Sequence, residues 1–348
     1  MKRKIKIFDA TLRDGSHYIK HQFSEDFIGR YCNEIDKVGL DAVIIGHGNG
    51  IGASSIQIGL SKCTNKQMLV AGKIKLKNTK LGTYMIPGLG TIEDDIIPAI
   101  EYGVQIFKIG CHCTECDTTK QHIMFLANRN IEVYGCLMMS HMINSEELLT
   151  QTLKMQEYGA RGIILFDSAG TYLPHEVANK IKTLVKGLNI DVGFHAHNNL
   201  GLAIANSLVA IDNGATIIDG TLKGFGAGAG NCQIDALIPI LSKEEANIGI
   251  DYYKLLDVAD KYIESEMQYQ KGITSLSIIS GISGVFSAFN TKVREAAKRF
   301  NVDSRDIFIE LGKRKVVGGQ EDIIIDVAMN LAQQKSKDEI SYIMESLL

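Results

Sequence analysis

Two histidines one residue apart, His195 and His197, are the side chains whose spacing most directly fits a metal ion. They close the run Phe194-His195-Ala196-His197-Asn198-Asn199. In a strand, residues i and i+2 project to the same side, so both imidazoles can face one point. A second group stands near the N-terminus, in Asp9-Ala10-Thr11-Leu12-Arg13-Asp14-Gly15-Ser16-His17. It puts a guanidinium that could meet an oxyanion, a carboxylate that could bind a cation and an imidazole that could move protons on one short segment. The same triplet also fits a solvated loop. Asp167 and Ser168 follow Phe166, and Asp219 precedes Gly220. They could orient ligands, although Asp219 fits a helix cap equally well.

Two further signals are weaker. Cys111–Cys116 (CHCTEC) resembles half a zinc site, but no second half of that kind is present, and structural zinc needs four closed ligands. Gly224–Gly230 (GFGAGAG) could cradle a phosphate. Its glycines would also let a loop pass close to a metal.

Short apolar runs occur eight times: Lys6–Asp9, Ala42–Gly46, Thr83–Pro87, Gln105–Gly110, Glu132–Leu137, Gly162–Phe166, Asp191–His195 and Thr216–Gly220. They are apolar on both parities, as strands buried on both faces are. Helical stretches lie between them. Ser24, Thr91 and Ser145 read as N-caps ahead of acidic first turns, and Gly39, Gly103, Gly159, Gly187 and Gly214 as closing glycines. Strict alternation implies a parallel sheet with right-handed crossovers, and eight units predict an α/β fold, a (β/α)8 TIM barrel. No G-x-G-x-x-G follows the first strand, which weakens an open dinucleotide-binding sheet. Such a barrel carries its site where the strands end. Strands one and seven are two apart around the ring, so Asp14 can join His195 and His197. One carboxylate and two imidazoles with open positions suit Mn²⁺, Mg²⁺, Co²⁺ or Zn²⁺, the open positions being where a substrate chelates.

After about residue 250 the strand pattern stops. Asp251–Tyr269, Ile282–Asn301, Asp303–Leu311, Glu321–Gln334 and Lys337–Leu348 read as helices. They predict a small C-terminal all-helical domain, drawn at 261–348, beside a barrel at 1–260. The chain has 348 residues, 45% hydrophobic and 22% charged, ample for a large core. A net charge of -3 gives no electrostatic footprint for nucleic acid or a membrane surface. The basic start Met1–Lys4 runs too soon into Asp9 for a signal peptide, and no apolar stretch reaches the roughly 20 residues of a spanning helix. Seven cysteines without a secretory signal predict reduced thiols and a cytoplasmic protein.

At Thr11–His17 (TLRDGSH), His195–Leu200 (HAHNNL) and Gly318–Asp322 (GGQED) the chain resembles the 4-hydroxy-2-oxovalerate aldolases. These share a superfamily of metal-dependent barrel lyases with isopropylmalate synthases and hydroxymethylglutaryl-CoA lyases. The likeness runs nearly end to end and includes His112–Glu115 (HCTE), Leu137–Ile143 (LMMSHMI) and Leu311–Asp322 (LGKRKVVGGQED). TLRDG is common to the superfamily. The histidine two places after its glycine marks the aldolase branch, where Claisen-type synthases usually carry glutamine.

The resemblance implies a class II pyruvate aldolase that cleaves a 4-hydroxy-2-oxo acid. Asp14, His195 and His197 would bind a divalent metal, usually Mn²⁺; Arg13 would stabilise the enolate; His17 would be the base; Ser168 would lie near the substrate carboxylate. Within G-V-Y-S-S-F the family has a tyrosine that reaches the site, and this chain has Phe286 there, in Gly284–Phe289 (GVFSAF). Tyr84 stands where the family usually has leucine. Tyr84 and Phe286 are the expected aldehyde-side residues, with Tyr84 partly replacing the missing hydroxyl, and Ile86 is a further expected substrate-binding residue. An acylating acetaldehyde dehydrogenase docked on the helical domain, an oligomer and a place in aromatic hydrocarbon catabolism are further implications. Two other readings stand beside it: a Claisen-type acyl-CoA enzyme, and a catalytically weakened barrel serving as a partner scaffold.

Overall fold

The computed structural model describes residues 4–246, 248–266 and 272–346, and side chains only as far as 337. Eight parallel strands close into a barrel in chain order. They are β1 (Lys6–Asp9), β2 (Ala42–Ile44), β3 (Lys80–Met85), β4 (Ile106–His112), β5 (Glu132–Met138), β6 (Gly162–Asp167), β7 (Asp191–Ala196) and β8 (Ile217–Gly220). The expected (β/α)8 barrel is present, with every strand overlapping its apolar run. The largest shift is β3, which begins at Lys80 rather than Thr83 because its pairing with β2 starts there.

The two faces of each strand build two cores. Phe8, Ile44, Tyr84, Ile106, Tyr134, Ile164, Phe166 and Ile217 fill the barrel interior. The other parity, with residues such as Ile7, Val43, Leu81, Phe107, Val133, Ile163 and Phe194, packs outward on the surrounding helices. Ser24 and Thr91 cap their helices as expected, through the amides of Phe27 and Asp94. The third cap is corrected: Asn144, not Ser145, accepts from the Glu147 amide, and Glu147 returns a bond to the Asn144 amide. A carboxamide one residue earlier closes this reciprocal box and leaves Ser145 as the first helical residue. Gly39, Gly103, Gly159 and Gly214 take the left-handed turn, but Gly187 does not. It ends its helix in helical geometry, and Leu188 leaves in an extended conformation.

Beyond the barrel, a second hydrophobic cluster forms from Val285, Phe289, Val293, Ile307, Phe308, Leu311, Ile324 and Val327. The helices there differ from the expected set. The first runs Tyr252–Val258 and continues as a wider turn, Ala259–Ile263; the end of the expected span at Tyr269 lies outside the described residues. Helix Ser275–Ile282 was not anticipated, and Ile282–Asn301 is not one helix. Gly284, at φ +65°, breaks it, and helix Asn290–Phe300 begins later. Ser304–Lys313 follows, with Asp303 as cap. The last two expected helices are one, Ile323–Ser346; Leu347 and Leu348 lie outside the described residues. Among the described residues no helix is long and apolar enough to cross a membrane. All seven cysteines are buried free thiols.

Candidate metal and enolate site

The loop after β1 is shaped by a buried carboxylate. Asp9 accepts from the Thr11 amide and hydroxyl, and from the Tyr31 hydroxyl at 2.6 Å. Burial pushes its carboxyl up to about 6, against these bonds. The Leu222 amide donates to the Thr11 hydroxyl, which ties this loop to the one after β8. A helical turn onto the Ala10 carbonyl then presents Arg13 and Asp14 at the mouth.

Asp14, His195 and His197 come together there. Each offers one ligand atom, these atoms lie within 4.8 Å of one another, and all three residues are buried. Asp14 is held from both sides. Its Oδ2 accepts from Arg13 Nη1 at 2.8 Å, and its Oδ1 accepts from Asn231 Nδ2 at 2.7 Å and the Ala227 amide at 3.1 Å. Burial pushes the Asp14 carboxyl up, but Arg13 and the surrounding histidines together hold it well below the usual carboxylate range. Burial lowers His197 to about 3. His195 Nε2 and His197 Nδ1 are buried without hydrogen-bond partners. Two orphaned imidazole nitrogens beside an ionised carboxylate are the donor set that an N/O-coordinated divalent cation satisfies.

Behind this cluster, Asp219 Oδ2 lies 2.7 Å from His195 Nδ1 and 2.5 Å from Lys108 Nζ. The His195 contact is close enough for an ion pair but off the line of a good hydrogen bond. Asp219 belongs to β8 and faces inward, so it is not a helix cap. Burial raises its carboxyl, and Lys108 followed by His195 reverses this to a strong net lowering.

Arg13 is 4% exposed and spans the mouth. Its guanidinium carbon sits 4.9 Å above the Tyr84 ring and 5.8 Å from that of Phe166. Nη1 serves Asp14, while Nε and Nη2 are buried with no partner. His17 is near enough to Asp14 and Arg13 to feel both charges; burial lowers its imidazole below the ordinary 6.5, Asp14 opposes this and Arg13 adds to it. His17 also stands edge-on to His21, which stacks on His47 at 3.5 Å.

The remaining expected residues lie at the ends of β3 and β6 and in the helical region. Ser168 Oγ accepts from the Met139 amide at 3.0 Å, at the end of β6. Ile86 is half-buried against the interior cluster. Tyr84 is 2% exposed. Its hydroxyl meets the Met138 thioether at 3.3 Å and passes over Gly110, where a Cβ would lie 2.0 Å away. That hydroxyl lies on the β4–β5 side, against Met138 and Gly110. Phe286 is half-buried. Its neighbours rest on the mouth: the Gly284 carbonyl lies 3.1 Å from His141 Nε2, and Ser287 Oγ accepts from Asn199 Nδ2 at 3.0 Å. Asn199 also donates to the Ser277 carbonyl and to Ser280 Oγ, fastening the helical region to the loop after β7.

Sequence reasoning missed Asn231 and Lys108. Asn231 directly follows the glycine run, and that position was its one signal. At Gly226 a Cβ would fall 2.3 Å from Asp14 Oδ1, so the glycines let the backbone pass beside a ligand. In the cysteine cluster Cys111 and Cys116 stand 3.8 Å apart, and His112 Nδ1 is hydrogen-bonded to the Thr114 hydroxyl. Among the described residues Asp14, His195 and His197 are the one metal-capable group.

Residues 4–261 match the HMGL-like family, and residues 271–333 match the DmpG-like communication domain. The chain is 45% identical over 334 residues to a 4-hydroxy-2-oxovalerate aldolase of Pectobacterium atrosepticum, covering 96% of this chain and 97% of the relative. It is 43% identical over 333 residues to that of Spirochaeta aurantia, covering 96% and 98%. Among solved structures, the carboxyl transferase domain of Rhizobium etli pyruvate carboxylase superposes with a TM-score of 0.79 over 96% of this chain and 61% of the other. At 15% identity that likeness concerns the fold alone.

Proposed function

Because the chain belongs to the 4-hydroxy-2-oxovalerate aldolase family, within the HMGL-like proteins, we propose that it cleaves 4-hydroxy-2-oxopentanoate or a close relative to pyruvate and an aldehyde. The observation that carries this is the pairing of a three-residue candidate ligand cluster with two unpartnered guanidinium nitrogens of Arg13 at one buried mouth.

A divalent cation, Mn²⁺ foremost, would be held by Asp14, His195 and His197 and would act as a Lewis acid toward the 2-oxo acid. His17 takes the proton of the 4-hydroxyl; its lowered pKa leaves the imidazole neutral and able to accept at pH 7. The C3–C4 bond breaks, the aldehyde leaves, and the bonding pair becomes the pyruvate enolate. Arg13 Nε and Nη2 donate to the oxygen on which charge grows. Donors already aimed and desolvated need little reorganisation as that charge appears. A proton then adds at C3 to give pyruvate. Ser168 would bear on the carboxylate of the substrate. Ile86, Phe286 and, beneath Arg13, Tyr84 would bear on the aldehyde side.

The communication-domain match at 271–333 supports docking of an acylating acetaldehyde dehydrogenase that takes the aldehyde onward. Buried thiols throughout are in keeping with a reducing cytoplasm. A role in aromatic hydrocarbon catabolism and an oligomeric assembly belong to the same reading, as does a barrel of 1–260 joined to a helical domain of 261–348.

The enolate half can be tested without knowing the aldehyde. Protein stripped of metal and then restored with Mn²⁺ is incubated with pyruvate in D₂O, and methyl-proton exchange is followed by NMR. Mn²⁺-dependent exchange is expected; none with bound Mn²⁺ would sink the proposal.

A further inference from the structure

Lys108 lies in β4 with its side chain inside the barrel, and both it and Asp219 are wholly inaccessible to solvent. Interior layers of such barrels are normally filled by branched apolar side chains, and Ile106, Ile164 and Ile217 line the interior in that way. Desolvating an ammonium and a carboxylate is costly, and their attraction often does no more than offset the cost; apolar residues of similar volume commonly stabilise at least as well. Stability alone therefore gives a poor account of a charged pair here.

The geometry gives a better one. A single oxygen, Asp219 Oδ2, lies 2.5 Å from Lys108 Nζ and 2.7 Å from His195 Nδ1. With Nδ1 held against a carboxylate, the opposite ring nitrogen faces the mouth, where Nε2 lies 4.0 Å from Asp14 Oδ2. Phe166 packs beside both ends of this chain of contacts. Its ring centroid is 4.5 Å from that of His195 and 5.1 Å from the Lys108 ammonium. We infer that Lys108 is a positioning residue of the metal centre: it pins the Asp219 carboxylate against His195 Nδ1 and so fixes the direction in which Nε2 is presented.

This inference rests on the reading of Asp14, His195 and His197 as metal ligands, but not on the aldolase reaction. The test is therefore metal affinity. Mn²⁺ binding to the stripped full-length protein is titrated by the EPR signal of free Mn²⁺, for wild type, Lys108→Met, Asp219→Asn and the double variant. Partners that orient metal-binding histidines are worth about 10- to 100-fold in affinity, so each single variant is expected to bind about 10-fold or more weaker. Since Lys108 acts through Asp219, the double variant is expected to be no weaker than Asp219→Asn alone. Losses that multiply in the double variant would overturn the inference. So would a Lys108→Met protein that binds as well as wild type or tighter, because the buried cation would then only repel the metal.

Circular dichroism checks that each variant folds. Should Lys108→Met not fold, Lys108→Arg keeps the charge and displaces the donor, and the visible ligand-field band of its Co²⁺ form reports how His195 is presented. A shifted band is expected, and an unchanged band contradicts the inference. A wild-type protein that binds no divalent cation would remove the metal-centre reading and this inference together. Normal Mn²⁺ binding and the expected variant pattern without turnover would remove only the aldolase reading.

Discussion

Replacing Arg13 by alanine should lower kcat by about 10²- to 10³-fold, the loss typical of a removed oxyanion donor. Two N–H groups of Arg13, Nε and Nη2, are buried without partners, in a residue only 4% exposed. A unit charge about 4 Å from a developing oxyanion is worth about 4 kcal/mol at an effective dielectric of roughly 20. That falls at the top of the range of about 2.7–4 kcal/mol found for such donors. The confounding effect is on Asp14, which loses the 2.8 Å bond from Nη1. Asn231 and Ala227 still hold its other oxygen, so the ligand should stay in place. Removal of a neighbouring cation should leave Mn²⁺ affinity unchanged or improved. The assay is steady-state release of pyruvate at saturating Mn²⁺, coupled to lactate dehydrogenase, with Mn²⁺ affinity measured separately. A fall in kcat below about 10-fold would refute the assignment. A rise in KM with unchanged kcat would place Arg13 on the ground-state substrate instead. Parallel loss of Mn²⁺ affinity would mean that it acts through Asp14.

Three other outcomes follow from the same geometry. Burial lowers His17 below 6.5, and the protonated form cannot act as base, so the acid limb of kcat/KM at saturating metal should lie below pH 6.5; a limb above pH 7 that disappears in a His17 variant would contradict this. Asn199→Ala leaves the Ser277 carbonyl and two serine hydroxyls short of a donor. At about 1–3 kcal/mol for an unsatisfied buried group, hydrogen exchange in helix Ser275–Ile282 should quicken by at least about fivefold, and unchanged exchange would show that the joint contributes nothing. Tyr84→Phe should lower turnover or stereoselectivity by loosening the floor under Arg13, as read by the enantiomer ratio in aldol addition of pyruvate to acetaldehyde; no change in either would leave Tyr84 as plain packing.

The parts of this site that follow from local periodicity were legible in the chain. His195 and His197 share a face because β7 is a strand, and Asp14 reaches them because β1 lies two strands away in a closed ring. What escaped depends on contacts between distant segments. Lys108 reads as a lone polar residue in an apolar run, and its partner Asp219 is 111 positions away. Only barrel closure puts them together, and only then does Asp219 change from a potential cap to a partner of His195. Asn231 could not be separated from the glycine run until Gly226 was seen beside Asp14. In the helical region, helix Ser275–Ile282 buries Ser277 and Ser280 and exposes Ile278 and Ile282, the reverse of the pattern that apolar periodicity reads. Periodicity therefore gives no signal for helix Ser275–Ile282 and suggests a start at Ile282, where that helix ends. Ser145 lost the cap to Asn144 because both residue types favour that position and only the bond to Glu147 distinguishes them.

Retro-aldol cleavage at the Asp14–His195–His197 centre requires a base, the role proposed for His17. Its most direct test is pyruvate release from racemic 4-hydroxy-2-oxopentanoate by the Mn²⁺-restored protein, with His17→Ala alongside. Turnover that requires the metal and falls by about 10²-fold or more in the variant is the predicted result, in line with the usual worth of a positioned base. A His17→Ala protein that binds Mn²⁺ and turns over like wild type would contradict it.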